Sequence, residues 1–107
     1  MKYNVYVISD AEEDLFEIFR HISQSDSPEK AEQVLRKIEE KCSDLSAFPE
    51  RGHLPPELER IGISEFREIH FKPYQIIDQI IRKDIYILCI LDGRRELQEL
   101  LERRLIR

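Results

Sequence analysis

Apolar residues in the first half of the chain recur at the spacing of amphipathic helices. One stripe predicts a helix from about Asp10 to Ser23, with Ser9 and Glu12 spaced as a capping box at its start. A second stripe predicts a helix that begins at Ser27-Pro28 and ends near Ala47. The stripes consist of Ala11, Leu15, Ile18, Phe19 and Ile22, and of Ala31, Val34, Leu35, Ile38, Cys42 and Leu45. Two such helices joined by a short turn predict an antiparallel hairpin whose apolar face needs a sheet to cover.

Later in the chain the pattern changes to short runs rich in isoleucine, which predict strands. Three strands are expected, over Phe66 to Phe71, Tyr74 to Ile81 and Ile85 to Leu91. The third is apolar at nearly every position and should be central, with both faces buried. An alternating segment from Tyr3 to Ile8 predicts a first strand, and a leucine stripe predicts a last helix from Arg95 to about Ile106.

The segment between the hairpin and the strands has a different character. Three prolines and Gly52 fall within residues 48–56, which excludes a long helix or a central strand there. We expect an ordered connecting loop with a short helical turn before Gly62. The chain is therefore predicted to be one α+β domain over residues 1–107. Its elements are an N-terminal strand, a helical hairpin, a three-stranded antiparallel meander and a short C-terminal helix, in the order βααβββα.

Charge and composition narrow the functional classes. The net charge of -5 divides into -7 for residues 1–59 and +2 for residues 60–107, so stable nucleic-acid binding by the chain alone is not expected. No apolar run approaches the roughly 20 residues of a membrane-spanning helix. The N-terminus has no signal-peptide core, and a cytoplasmic location is expected. Cys42 and Cys89 occupy apolar periodic positions and are predicted to be buried free thiols.

Four segments together resemble the RelE/ParE superfamily of bacterial toxins from type II toxin–antitoxin modules. They read SDAEEDLFEIFRHI, AEQVLRKIEEKCSDLSAFPERGHLPPEL, FREIHFKPYQIID and ILDGRRELQELLERR, and cover nearly the whole chain. The proline-rich loop followed by FRE and KPY is most similar to the ParE-like, plasmid-stabilisation branch. The resemblance implies a small cytoplasmic toxin, without a cofactor, that a cognate antitoxin neutralises; it also allows for a homodimer. ParE-type toxins act on DNA gyrase, whereas RelE-type toxins cut messenger RNA in the ribosome.

The resemblance also implies which residues to weigh. In RelE-type toxins, basic side chains on the sheet and a C-terminal tyrosine carry out metal-free cleavage of RNA. Arg67 matches one basic position, and Arg94 or Arg95 matches another. The family arginine that follows the aromatic Tyr74 position is Gln75 here, and no tyrosine follows Tyr86. Losing one charge-stabilising donor costs about 2.7–4 kcal/mol in measured cases, so the ribonuclease hypothesis is weakened.

Other polar residues in the strands have competing interpretations. Asp78 replaces a family aromatic and is predicted either to lie at a solvent-exposed sheet edge or to pair with Arg67 or Arg95, with a functional acid as the alternative. His70 is a candidate for acid–base work because its pKa lies nearest neutrality, and it should face away from Arg67. The spacing of the histidines and cysteines predicts no metal site.

The basic C-terminal segment can be interpreted in two ways. Arg103 and Arg104 would offset a helix dipole, or would contact an antitoxin or target. Arg94 and Arg95, after the Asp92-Gly93 turn, are the stronger binding candidates. Three functions therefore remain: a ParE-like binding toxin, a RelE-type ribosome-dependent endoribonuclease, and a degenerate family member that has lost toxicity.

Overall fold

The computed structural model describes residues 2–92 and 103–104. It contains three helices and four strands within these residues. They are β1 (Asn4–Val7), α1 (Ser9–Ser25), α2 (Pro28–Asp44), α3 (Pro56–Glu59), β2 (Arg67–Phe71), β3 (Tyr74–Ile81) and β4 (Asp84–Asp92). The predicted last helix lies outside the described residues, except that Arg103 and Arg104 are helical. None of the described helices is both long enough and apolar enough to span a membrane.

The four strands form one mixed sheet in the order β1-β4-β3-β2. β1 runs parallel to β4, and the other neighbours are antiparallel, which confirms the predicted meander and the mostly antiparallel sheet. β4 lies inside the sheet, and its residues from Ile87 to Leu91 are buried. The prediction of a central strand with two buried faces is therefore confirmed.

The two faces of the sheet are covered by different parts of the chain. The α1–α2 hairpin packs on one face, where Ala11, Ile38 and Leu45 are fully buried against isoleucines of the strands. Leu58 of α3 and Phe66 cover the other face, against Ile77, Leu88, Cys89 and Leu91. The proline-rich segment is thus a structural layer as well as a connection.

The two predicted helix starts had different outcomes. Ser27 caps α2 as expected, since its Oγ accepts a hydrogen bond from the Lys30 amide at 3.1 Å. The predicted capping box at Ser9 is wrong. The amide of Ile8 still bonds to the Ile87 carbonyl of β4, so β1 passes directly into α1 with Ile8 at the N-cap. Ser9 is already helical, and no side chain caps this helix.

The loop is attached to the outer edge of β2 by a short backbone bridge. His53 and Glu68 exchange two backbone hydrogen bonds, at 3.0 and 2.8 Å. The approach requires a glycine before His53, because a Cβ atom on Gly52 would lie 2.4 Å from the Glu68 carbonyl oxygen. This bridge places the loop beside the polar residues of β2.

We predict that Gly52→Ala displaces the loop from β2. The added methyl group has no room, and overpacking of this kind costs about 1–3 kcal/mol. Amide hydrogen exchange should accelerate at His53 and Glu68, whose N–H groups form the bridge. Gly62→Ala is the control: Gly62 has a φ of 79° but open space around its Cα, so that substitution strains only its own turn. Unchanged exchange at His53 in Gly52→Ala would contradict the assignment.

Candidate functional site

A buried carboxylate on β2 is shared by two histidines. Glu68 Oε1 lies 2.9 Å from His53 Nε2 and 3.2 Å from His70 Nε2. The Glu68 side chain is only 2% exposed, whereas those of His53 and His70 are 59% and 45% exposed. The two rings meet edge to face, with centroids 5.4 Å apart. We call these three residues the histidine–glutamate cluster.

Gln75 completes the hydrogen bonding of this carboxylate. It lies opposite His70 on the neighbouring strand β3, and its Nε2 donates to Glu68 Oε2 at 2.9 Å. Both carboxylate oxygens are therefore held by side chains, as a buried charged group requires. Gln75 is thus a fixed neutral donor within the cluster.

Arg67 points to the other face of β2 and has a structural contact of its own. Its Nη2 donates to the backbone carbonyls of Glu50, at 3.0 Å, and Gly52. The guanidinium therefore holds the loop from one side while His53 and Glu68 hold it from the other. His70 faces away from Arg67, as the alternation predicted, so the strand does not bring these two candidates together. A binding role for Arg67 stays a prediction.

Asp78 is buried rather than exposed. It lies on the interior strand β3, directly opposite Arg67 in the register, and has no exposed surface. The prediction of a solvent-exposed sheet edge is wrong, because β2 covers this side of β3. Neither carboxylate oxygen has a hydrogen-bond partner, and the Nε of Arg67 also has none. Burial raises the pKa of Asp78 to about 7, although the charge of Arg67 opposes the shift.

The backbone beside Asp78 is irregular. The β3–β4 pairing shifts register between Ile77 and Asp78: Ile77 pairs with Cys89, but Asp78 pairs with Ile87. Leu88 is thus the extra residue of a β-bulge, which lets the central strand place Leu88 and Cys89 in the same core layer. The buried acid and the bulge coincide in the middle of the sheet.

The structure describes two of the four basic candidates in the C-terminal segment, Arg103 and Arg104. Arg94 and Arg95 lie outside the described residues, so their binding role stays a prediction. Arg104 forms a two-armed ion pair with Asp14 of α1, at 2.8 and 2.6 Å. The hydrogen bond to Asp14 raises the pKa of Arg104 above its ordinary value. Arg103 is exposed, and its predicted contact with a partner stays a prediction.

The cysteines do not contribute reactive groups. Both are buried and free, as predicted. Burial raises the pKa of each thiol to about 12, so neither is a thiolate near neutral pH. Cys42 and Cys89 are therefore packing residues of the two core clusters.

Sequence reasoning missed Glu68 and the pairing of His53 with His70. Their spacing along the chain matches no metal motif, because His53 reaches β2 only through the bending of the loop. The signal that could have found them is Gly52 beside His53, which indicates a close backbone approach. A second signal is the acidic Glu68, which the strand alternation puts on the same face as the apolar Phe66, where a charged group needs partners.

The fold is shared with chains of two solved toxin–antitoxin assemblies. It is similar to a chain of the chromosomal ParDE TA system from P. aeruginosa, with a TM-score of 0.70 and 23% identity over 83% of this chain and 94% of that one. It is also similar to a chain of the toxin–antitoxin complex RelBE2 from Mycobacterium tuberculosis. That match has a TM-score of 0.63 and 19% identity, over 86% of this chain and 92% of that one.

Sequence comparison gives the family. The model described as ParE toxin of type II toxin-antitoxin system, parDE, matches residues 6–97. Toxin ParE3 of Caulobacter vibrioides is 36% identical over 84 residues, which cover 78% of this chain and 80% of that protein. The chain belongs to the ParE toxin family of type II toxin–antitoxin systems.

We predict that Asp78 makes stability depend on pH. The folded state keeps the Asp78 proton between the ordinary pKa of 3.8 and about 7, where the unfolded chain has lost it. Stability should therefore fall as pH rises through this range, by about 4 kcal/mol in total for a pKa difference of this size.

Asp78→Asn should remove this loss and be more stable than the unmodified protein above pH 7. Urea unfolding between pH 4 and pH 8 measures the difference. Asp26→Asn, at an exposed position after α1, is the matched control and should leave the pH profile unchanged. A parallel pH profile for Asp78→Asn and the unmodified protein would contradict the assignment.

Proposed function

We propose that this protein is a toxin that acts by binding a cellular protein, with DNA gyrase as the expected target, and that a cognate antitoxin neutralises it. The observation that carries the proposal is membership of the ParE family over residues 6–97. Similarity to chains of the ParDE and RelBE2 assemblies supports an antitoxin as partner. The presence of such a toxin implies a cytoplasmic site of action and a role in plasmid stabilisation or growth control.

The surface supports a protein partner. Phe16 and Phe48 are 62% and 63% exposed, which is unusual for large apolar side chains. Phe16 lies on α1 between acidic residues, and Arg20 stacks on its ring at 5.0 Å. An acidic helix with an exposed aromatic side chain repels a phosphate backbone but suits a partner with basic and apolar groups.

The contacts of Arg67 and Arg104 argue against ribonuclease activity. Cleavage of RNA requires positive charge close to the acid–base pair. Arg67 instead binds loop carbonyls on the opposite face from His70, and Arg104 is paired with Asp14 at the far side of the sheet. At Gln75, a neutral amide occupies the position nearest His70 on β3.

One observation favours the RelE-type endoribonuclease as the second candidate. His53 and His70 are half exposed and share a carboxylate, which is an arrangement capable of general acid–base chemistry. Lys41 and Arg51 border the same recess and would be the nearest described cations. A degenerate, non-toxic member is the third candidate.

We predict that induced expression of the chain without its antitoxin causes filamentation and DNA-damage signalling, because gyrase inhibition leaves broken or unresolved DNA. Co-expression of the neighbouring antitoxin gene should restore growth. Microscopy and a damage-response reporter measure the first effect, and mRNA end mapping measures cleavage. Immediate translation arrest with codon-specific mRNA cuts would instead establish the ribonuclease, and normal growth at full expression would establish the degenerate member.

We predict that Gln75→Arg does not change the expression phenotype, because binding does not require a charge that stabilises a phosphorane. Growth curves and mRNA end mapping are the measurements. Gln79→Arg is the matched control, since Gln79 lies on the same strand and face but outside the cluster. Increased toxicity with new mRNA cuts in Gln75→Arg alone would show that the site is a decayed ribonuclease centre.

A further inference from the structure

We propose that the histidine–glutamate cluster binds a divalent transition-metal ion, with Zn²⁺ as the expected one. His53 Nε2, His70 Nε2 and one oxygen of Glu68 would be its three protein ligands. This inference goes beyond the proposed function and does not depend on it, because metal binding is measured on the purified chain whatever its cellular target.

The ligand atoms are already close to the positions that a metal requires. They all lie within 4.8 Å of one another, and the two nitrogen–oxygen separations are 2.9 and 3.2 Å. In a tetrahedral zinc site with bonds of 2.0–2.1 Å, neighbouring ligand atoms are about 3.3 Å apart. Small rotations of two half-exposed histidine side chains are enough to reach this geometry.

The donor set selects the class of metal. Two imidazole nitrogens and a carboxylate oxygen suit Zn²⁺ and neighbouring transition metals, whereas Mg²⁺ and Ca²⁺ prefer oxygen ligands only. His53 Nε2 now donates a hydrogen bond to the carboxylate, and His70 Nε2 lies 3.2 Å from the same oxygen. On metal binding, each neutral ring would carry its proton on Nδ1 and offer the Nε2 lone pair to the ion.

Gln75 provides the support that metal ligands usually have. Its amide holds Glu68 Oε2 at 2.9 Å and leaves Oε1 directed at the two histidines. Outer contacts of this kind fix the orientation of a ligand, and their removal typically costs about 10–100-fold in metal affinity. Gln75 would therefore orient Glu68 as a metal ligand without binding the ion itself.

The charges around the recess between the histidines determine whether it attracts a cation or an anion. The recess has a volume of about 190 Å³, and Lys41 and Arg51 also line it. Arg51 lies 3.4 Å from Asp44, so part of its charge is offset. The Glu68 carboxylate is 2% exposed and far less hydrated than either cation, so it dominates the potential at the point between the histidines. That point favours a cation.

A bound ion would join two separate parts of the chain. His53 belongs to the proline-rich loop, whereas Glu68 and His70 belong to β2. The ion would therefore fasten the loop to the edge of the sheet at the place where the backbone bridge already holds it. The half-exposed histidines leave one side open, so water or a partner side chain can fill the fourth position.

The test uses the full chain without a polyhistidine tag. Isothermal titration with ZnCl₂ should give one ion per chain, and CoCl₂ should give the visible absorption bands of a site with nitrogen ligands. His53→Gln and His70→Gln should each lower the affinity by more than about tenfold, and Gln75→Ala should lower it by about 10–100-fold. Added Zn²⁺ should raise the Tm of the unmodified chain and not that of His70→Gln.

His21→Gln is the matched control, since His21 is an exposed histidine of α1 outside the cluster, and it should bind Zn²⁺ as the unmodified chain does. Circular dichroism of each variant verifies folding. The histidine substitutions lie at half-exposed positions, so they test the site without altering the buried Glu68. Absence of Zn²⁺ binding, equal loss in His21→Gln, or equal affinity for MgCl₂ would each overturn the proposal and leave a purely hydrogen-bonded cluster.

Discussion

The structure depends on a central strand, β4, that must be covered on both faces. Among the described residues, the helical hairpin buries one face, and the segment between α2 and β2 buries the other. This requirement explains why a proline-rich connection is ordered. Its prolines exclude regular pairing over most of its length, so it is held by point contacts: the His53–Glu68 bridge, the Arg67 hydrogen bonds and the packing of Leu58.

The same requirement explains where polar groups are buried. Glu68 on β2 and Asp78 on β3 are both covered by packing, but their surroundings differ. Glu68 accepts side-chain hydrogen bonds from His53 and Gln75 at the rim and lies 3.2 Å from His70 Nε2, whereas Asp78 accepts none beneath the hairpin. A hydrogen-bonded carboxylate beside exposed histidines suits ligand binding. A buried carboxylate without hydrogen bonds has a raised pKa, and its burial lowers the stability of the fold. The two acids are therefore expected to have separate roles.

Much of the fold could be predicted from the sequence because it follows from local periodicity. Local contacts, between residues a few positions apart, determine the stripes of the hairpin, the Ser27 cap and the three apolar strands. The failures involve partners distant in the chain. Ser9 could not act as a cap because β4 holds Ile8, and Asp78 is interior because β2 lies outside it. His53 meets Glu68 fifteen residues later through a loop path that no spacing rule describes. The binding role of Arg94 and Arg95 was predicted from the family resemblance and from the Asp92-Gly93 turn before them, and it stays a prediction.

We propose that this ParE family member acts by binding a protein and not by cutting RNA. The most direct measurement is the supercoiling of relaxed plasmid by purified DNA gyrase with increasing amounts of the chain, beside a ribosome-programmed mRNA cleavage assay. We expect dose-dependent inhibition of supercoiling that the antitoxin reverses, with mRNA left intact. Full gyrase activity at saturating protein, together with cleavage of ribosome-bound mRNA, would contradict it.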